Sequence, residues 1–417
     1  MNNELIETSV VRASSYRWVV LGGATLAQAS ASFVIQGLGA LTGFLQSAFS
    51  LNGTAVGILV TAATLAPIVV MLRVGDLLDR RHEGVIILCG ALLMAAGIVG
   101  AATAPNYALL LVGLFVAGIG YSATQPGGSK AVAQYFTTGR RGLAMGIRQA
   151  GLPLGGAVAA ATLPVIAHSY SWRWALTLAA VVVGGGGIIF FICYRRPPVN
   201  RSKQAAIRVK FWARVAEALR YRWLRPVIYS GVTLVTAQFA IQTYLMLFLR
   251  DTHHMPLTRG AWVLVIIQAA GVAGRILLAA ISDASSRARQ ITIIISMLAT
   301  AALTIVLPLL PANTPLYALF TFATFLGFFA FGWYGPWVVH ITDAAPSHAT
   351  GLLLSIAMTV NQVAIAATPP LLGFLYDISG DSYLTLWWIT SMTILLAVPS
   401  VLRTDDTARR SLPKRRR

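Results

Sequence analysis

Apolar runs of about twenty residues recur twelve times along the chain, separated by short stretches where charged and turn-forming residues collect. A hydrocarbon core ~30 Å thick takes ~20 predominantly apolar residues to cross as a helix, so each run predicts one span. The runs centre on residues 18–43, 55–75, 84–104, 107–131, 142–165 and 173–194. After a basic interruption they continue at 226–249, 260–282, 290–310, 314–340, 350–373 and 382–402. They are called spans 1 to 12.

Composition agrees with that pattern. Of 417 residues, 57% are hydrophobic and only 11% charged, with mean hydropathy +0.72. A soluble domain is about a quarter charged, so a soluble enzyme of this length is excluded. The net charge of +19 would fit nucleic acid if it were evenly spread, but it is not. Lys and Arg gather at 12, 17, 73, 80, 81, 130, 140 and 141, ten times between Arg195 and Arg225, then at 287, 289, 403 and in the tail KRRR. If every run crosses, these share one side, and the other side holds Arg173, Arg250 and Arg259. That is the positive-inside bias. It predicts an inner (plasma) membrane protein with both termini cytoplasmic, no nucleic-acid partner, and contacts of the basic loop and tail with anionic lipid. The first seventeen residues are polar and the next apolar run is too long for a secretory signal core, so span 1 is expected to act as its own insertion signal. Cys89 and Cys193 lie in spans or at their cytoplasmic ends, where a disulfide is not expected.

The segment from Arg195 to Arg225 opens with Pro197-Pro198, and Val209 to Tyr221 has amphipathic spacing that fits an interfacial helix. It divides the chain into a bundle at 1–194, a cytoplasmic linker at 195–225, a bundle at 226–403 and a basic tail at 404–417. The halves echo one another. Span 2 ends in RVGDLLDRRHEG and span 8 in GRILLAAISDASSRAR; span 4 carries GYSATQPGG and span 10 FGWYGPW; spans 5 and 11 carry Pro153 and Pro369-Pro370. Weak duplication with glycine- and proline-broken helices marks a transporter built from repeats.

GDLLDRR resembles the loop signature G-x-L-x-D-R of the major facilitator superfamily, although His82 and Glu83 stand where a later Gly and basic residue are usual. Gln134 to Gly151, QYFTTGRRGLAMGIRQAG, is similar to the helix 4–5 signature of its monocarboxylate-porter and oxalate/formate-exchanger branch. Gly274 to Asp283 looks like the branch pattern G-R-x(6)-S-D. The resemblance implies an all-α membrane protein with twelve transmembrane helices in two pseudo-symmetric six-helix bundles, monomeric and not an enzyme. It implies that Arg275 binds a substrate carboxylate, and that Asp79, Arg80 and Asp283 act at a cytoplasmic gate. The chain departs from the branch in lacking an acidic motif in span 1 and a lysine in span 11, where Asn361 and Gln362 stand.

Two arginines fall inside spans. Arg148 is seven residues from Arg141, about 10 Å, and Arg275 eight from Asp283, about 12 Å. A charge at that depth costs at least ~2.5 kcal/mol. All thirteen acids map to loops, tails or span rims, which predicts that the counter-ion is the substrate: a small anion, probed by the planar fork of each guanidinium. Competing readings are that Arg148 snorkels to headgroups or bonds carbonyls freed near Pro153, and that Arg275 pairs with a helix end. Uncharged residues at depth, Gln238, Gln242, Tyr244 and Asn361, are candidate orienters; Gln28, Gln36, Gln125, Gln149 and Gln362 are polar at similar depth, and Trp333 and Tyr334 are candidate lining. Interhelical hydrogen bonding competes for each.

The expected activity is secondary transport of a mono- or dicarboxylate by alternating access, as proton symport or anion exchange. The alternative is a drug/proton antiporter, on the strength of AGLPLGG in span 5, though Leu114 stands where such antiporters place arginine. No Walker loop is present, so ATP-driven pumping is excluded. His253-His254 has no third ligand nearby, and no metal or cofactor is expected.

Overall fold

The computed structural model describes residues 2–136, 141–195, 221, 223–282, 285–345 and 350–402. Among them twelve helical stretches are long and apolar enough to cross a membrane, one for each predicted run. The first is longer than predicted: one helix runs Asn2–Phe49, with its apolar part at Tyr16–Phe49. The outer surface is apolar, with Ile192 70% and Leu396 73% exposed. Such a surface is stable against hydrocarbon and costly against water. All of the predicted interfacial helix over 209–221 except Tyr221, and the tail at 404–417, lie outside the described residues.

The chain forms two compact units. One comprises Met1–Phe44 with Ala62–Arg201, the other Leu45–Thr61 with Ser202–Arg417. A linear six-plus-six division does not anticipate the assignment of residues 45–61 to the second unit. Helix Gly53–Arg80 therefore begins in one unit and ends in the other.

Spans 4 and 10 are each broken, and for the same reason. Span 4 consists of helices Tyr107–Tyr121 and Thr124–Tyr135; span 10 of Leu316–Gly332 and Tyr334–Ala344. Proline has no N–H for the carbonyl four residues back. Pro126 and Pro336 each occupy the third position of the second helix, where a missing donor is tolerated, so the interruption falls just before them.

In the first unit, helix Glu83–Ala102 starts with a cap from His82, whose Nδ1 accepts from Gly84 N at 3.2 Å. Glu83 sits at the rim by its place in the chain, yet is fully buried. Lys130 Nζ lies 3.4 Å from Glu83 Oε1 and donates to Leu78 O at 2.7 Å. Gln134 Nε2 donates to the same carboxylate at 3.0 Å, and the Tyr194 hydroxyl lies 3.2 Å from Oε2. The departure from the superfamily loop signature thus has a local cause: His82 caps span 3 and Glu83 faces a lysine of span 4.

In the second unit, residues 53–61 are clasped by span 11. The first four N–H groups of a helix have no partner inside it, and here all four are answered. Gly53 N and Thr54 N donate to the two oxygens of Asp377 at 2.8 and 2.9 Å; Ala55 N donates to Asn52 Oδ1 and Val56 N to Asn52 O. Pro370 leaves Ala366 O without its helical donor, and Thr61 Oγ1 takes it at 2.6 Å. The backbones touch: a Cβ on Gly373 would lie 2.1 Å from Gly53 O. The Tyr244 hydroxyl closes the clasp, 3.1 Å from Gly53 O and 2.5 Å from Pro369 O.

Two outcomes are expected. Asp377→Ala strips the acceptor from two helix amides, a loss of about 1–2 kcal/mol; hydrogen exchange of amides 53–56 should quicken roughly tenfold while residues 257–282 stay unchanged, and equal rates would show the cap to be dispensable. Lys130→Ala leaves the Glu83 carboxylate buried without its cation, a loss of about 3 kcal/mol, whereas Glu83→Gln frees a lysine that is already 29% exposed. Thermal unfolding in detergent should rank Lys130→Ala below Glu83→Gln, with the double variant recovering ~1 kcal/mol of the difference.

Candidate functional site

Arg275 is placed by its neighbour in sequence. Span 8 crosses span 10 at backbone contact, because Gly274 has no side chain: a Cβ there would lie 2.2 Å from Phe328 O and 3.1 Å from the Gly332 Cα. Small residues permit such approaches in membranes. The next residue, Arg275, then reaches the break in span 10, where its Nε donates to Phe331 O at 3.0 Å. Its guanidinium carbon lies 5.5 Å from the centre of the Tyr334 ring, within cation–π range. The residue is 8% exposed.

From Tyr334 an aromatic wall continues. Trp333 packs edge-on to Tyr334 and to Trp337, with centroids 5.6 and 5.7 Å apart. The Trp337 indole donates to Val227 O at 2.8 Å. Its ring and Asn361 Nδ2 converge on span 7, where a Cβ on Gly231 would lie 2.6 Å from Trp337 and 2.9 Å from Asn361. Asn361 is 5% exposed, with neither Nδ2 nor Oδ1 hydrogen-bonded, and the buried Trp333 Nε1 is likewise unanswered. Arg275, the aromatic wall and Asn361 thus form one continuous row within the second unit.

The other sequence-predicted residues are distributed differently. Gln242 accepts from Gln268 Nε2 at 2.6 Å. Gln268 escaped the sequence reading, although it stands seven residues before Arg275 and therefore on the same helical face. Gln238 is buried one turn from Gln242. Tyr244 belongs to the clasp on residues 53–61, not to the row with Arg275. Arg148 lies in the first unit and is fully buried. Its Nη2 donates to Gln28 Oε1 at 2.8 Å and to Thr124 O and Gln125 O at 3.2 and 2.7 Å. Those carbonyls open the second helix of span 4, so the guanidinium lies against the start of that helix, whereas Arg275 answers a carbonyl in the last turn before the break in span 10. The carbonyls expected near Pro153 are not the ones it takes. The side chains of Asp79 and Arg80, and Asp283 altogether, lie outside the described residues.

Residues 24–369 match the model of the Major Facilitator Superfamily. A protein of Mycobacterium tuberculosis strain H37Rv, described as an uncharacterised MFS-type transporter, is 26% identical over 386 residues, covering 92% of this chain and 84% of its own. A protein of Bacillus subtilis strain 168, named a probable galactarate/D-glucarate transporter, is 22% identical over 372 residues, covering 81% and 80%. Among solved structures, a bacterial homolog of the human lysosomal transporter Spinster, inward-facing and occupied, superposes with TM-score 0.78 at 14% identity, covering 94% of this chain and 97% of that one. Its unoccupied inward-facing form gives 0.71. With a family model spanning most of its length and twelve spans broken at matching places in its two halves, the chain belongs to the major facilitator superfamily.

Proposed function

We propose that the protein is a secondary transporter of a small organic anion, a mono- or dicarboxylate, working by alternating access in the inner membrane with both termini cytoplasmic. The observation that carries this reading is Arg275: a guanidinium inside a span, fixed by Phe331 O and Tyr334, at the end of a row of uncharged donors. A positive charge held in place where the surroundings are apolar acts through a low dielectric, and favours an anion far more than it would in water. By sequence position the span centres carry arginine and no acid, so the local potential is positive. The B. subtilis relative, named for two sugar diacids, supports an organic acid as cargo.

Arg275 is the anchor in this reading, with Asn361, Gln242 and Gln238 orienting the bound anion. Arg148 contributes through charge and through the shape of span 4 rather than by contact, since its Nη2 is spent on three oxygens. Tyr244 contributes through the clasp. Asp79, Arg80 and Asp283 are the proposed gate residues, and the basic linker and tail the proposed contacts with anionic lipid. AGLPLGG in span 5 packs closely on span 1, because a Cβ on Gly155 would lie 2.0 Å from Ala29 O; such packing serves an anion carrier and a drug antiporter alike.

Uptake of labelled mono- and dicarboxylates into proteoliposomes tests the reading. Arg275→Gln should lower it by about two orders of magnitude, the cost of losing a buried charge-assisted contact. Dependence on an imposed pH gradient separates proton symport from exchange. Wild-type rates in Arg275→Gln, or expulsion of a cationic dye with no anion flux, would overturn it. For Arg148 the expected signature differs. Arg148→Gln removes the charged donor that ties Gln28 to the start of the second helix of span 4 and should destabilise the fold by about 1–3 kcal/mol, while Arg148→Lys, which keeps the charge, retains measurable transport. Full stability of Arg148→Gln would count against its structural role.

A further inference from the structure

Asn361 poses a specific question. A carboxamide offers one acceptor and two donors, and buried polar groups in folded chains are almost always hydrogen-bonded. Here both ends of the amide are buried without a partner, and the Trp333 indole N–H, on the same wall, is unanswered as well. The neighbouring Trp337 shows the usual solution, donating to Val227 O. A leucine, with the same branching and number of heavy atoms, would fill position 361 without this penalty. The amide and the indole therefore await a partner that the described residues do not supply.

That partner has a definite chemistry. It must accept from the amide and the indole and donate to the amide oxygen. A carboxylate cannot donate, since it has acceptors only, whereas a hydroxyl both donates and accepts. The row runs from the Arg275 guanidinium past Tyr334, Trp333 and Trp337 to Asn361. Resting on Arg275 as the carboxylate anchor, we infer that Asn361 and Trp333 read hydroxyl groups on the body of the anion, so that the substrate class is hydroxylated carboxylic acids. A site built to hydrogen-bond a hydroxyl rejects the analogue lacking it, because its own buried groups are then left unpaired.

Succinate, L-malate and tartrate test this in proteoliposomes, since they share one four-carbon diacid skeleton and differ by none, one and two hydroxyls. Wild type should favour the hydroxylated acids over succinate by roughly tenfold or more in kcat/KM. Asn361→Leu should bring the three within about threefold of one another, chiefly by lowering malate and tartrate, and Trp333→Phe should narrow the spread by a smaller factor. Protection against thermal unfolding supplies a readout independent of flux: malate and tartrate should raise the wild-type midpoint, and Asn361→Leu should lose that advantage over succinate. A wild type indifferent to hydroxyls, or an unchanged ratio in Asn361→Leu, overturns the inference and leaves the amide to water. If Arg275→Gln abolishes transport in either of those cases, the anion reading stands and this inference alone falls. If wild type neither carries nor is stabilised by any of the three, both fall together.

Discussion

Hydrocarbon offers no hydrogen bonds, so every backbone group released by a helix break inside the bilayer must be answered by the protein itself. This constraint organises the molecule. Proline at Pro126 and Pro336 interrupts spans 4 and 10; at span 10 the last-turn carbonyl of Phe331 is met by Arg275, and at span 4 Arg148 lies against the first turn of the second helix, each arginine coming from another span of its own unit. The helix beginning at Gly53 is met by Asp377 and Asn52. The carbonyl that Pro370 releases is met by Thr61. Broken helices are affordable in this fold only because such partners are stationed beside them.

Arginine suits the task for a reason that bears on function. Its five donors lie in a planar fork and it stays ionised at any relevant pH, so it can answer carbonyls with one edge and remain a full positive charge. A lysine would give a mobile point charge, and a serine no charge at all. The demand for backbone satisfaction thereby fixes a cation in place before any ligand arrives. Preorganised charge costs no reorganisation on binding, which suits the contact that closes the break in span 10 to the role of anion anchor proposed for Arg275.

Much of the fold was legible in the sequence because hydropathy is a one-dimensional property. Twelve apolar runs became twelve spans, and the charge pattern needed no contact to be read. The breaks in spans 4 and 10 were foreshadowed by GYSATQPGG and FGWYGPW. What could not be read was partnership across sequence distance. Lys130 looked like one more rim cation, and Glu83 like one more rim acid, yet 47 positions apart they face one another in a buried network. Nothing local in the chain announces that Arg148 reaches span 4 rather than the turn before Pro153, or that Tyr244 leaves the row of its neighbours for Gly53. Gln268 was the one omission with a signal, its seven-residue spacing from Arg275.

The two arginines also show why depth alone does not define a site. Both sit inside spans, both lie against a broken helix, and both are charged. They differ in what surrounds the rest of the side chain. Arg148 is wrapped by a glutamine and two carbonyls and is wholly buried. Arg275 opens onto an aromatic face that leads to an indole and an amide with their hydrogen bonds unmade. Unmade bonds in an apolar interior are a standing free-energy cost, and a molecule that relieves it gains affinity from groups that contribute nothing to the empty fold. The place where the chain fails to satisfy itself is therefore a better pointer to its ligand than the place where it carries charge.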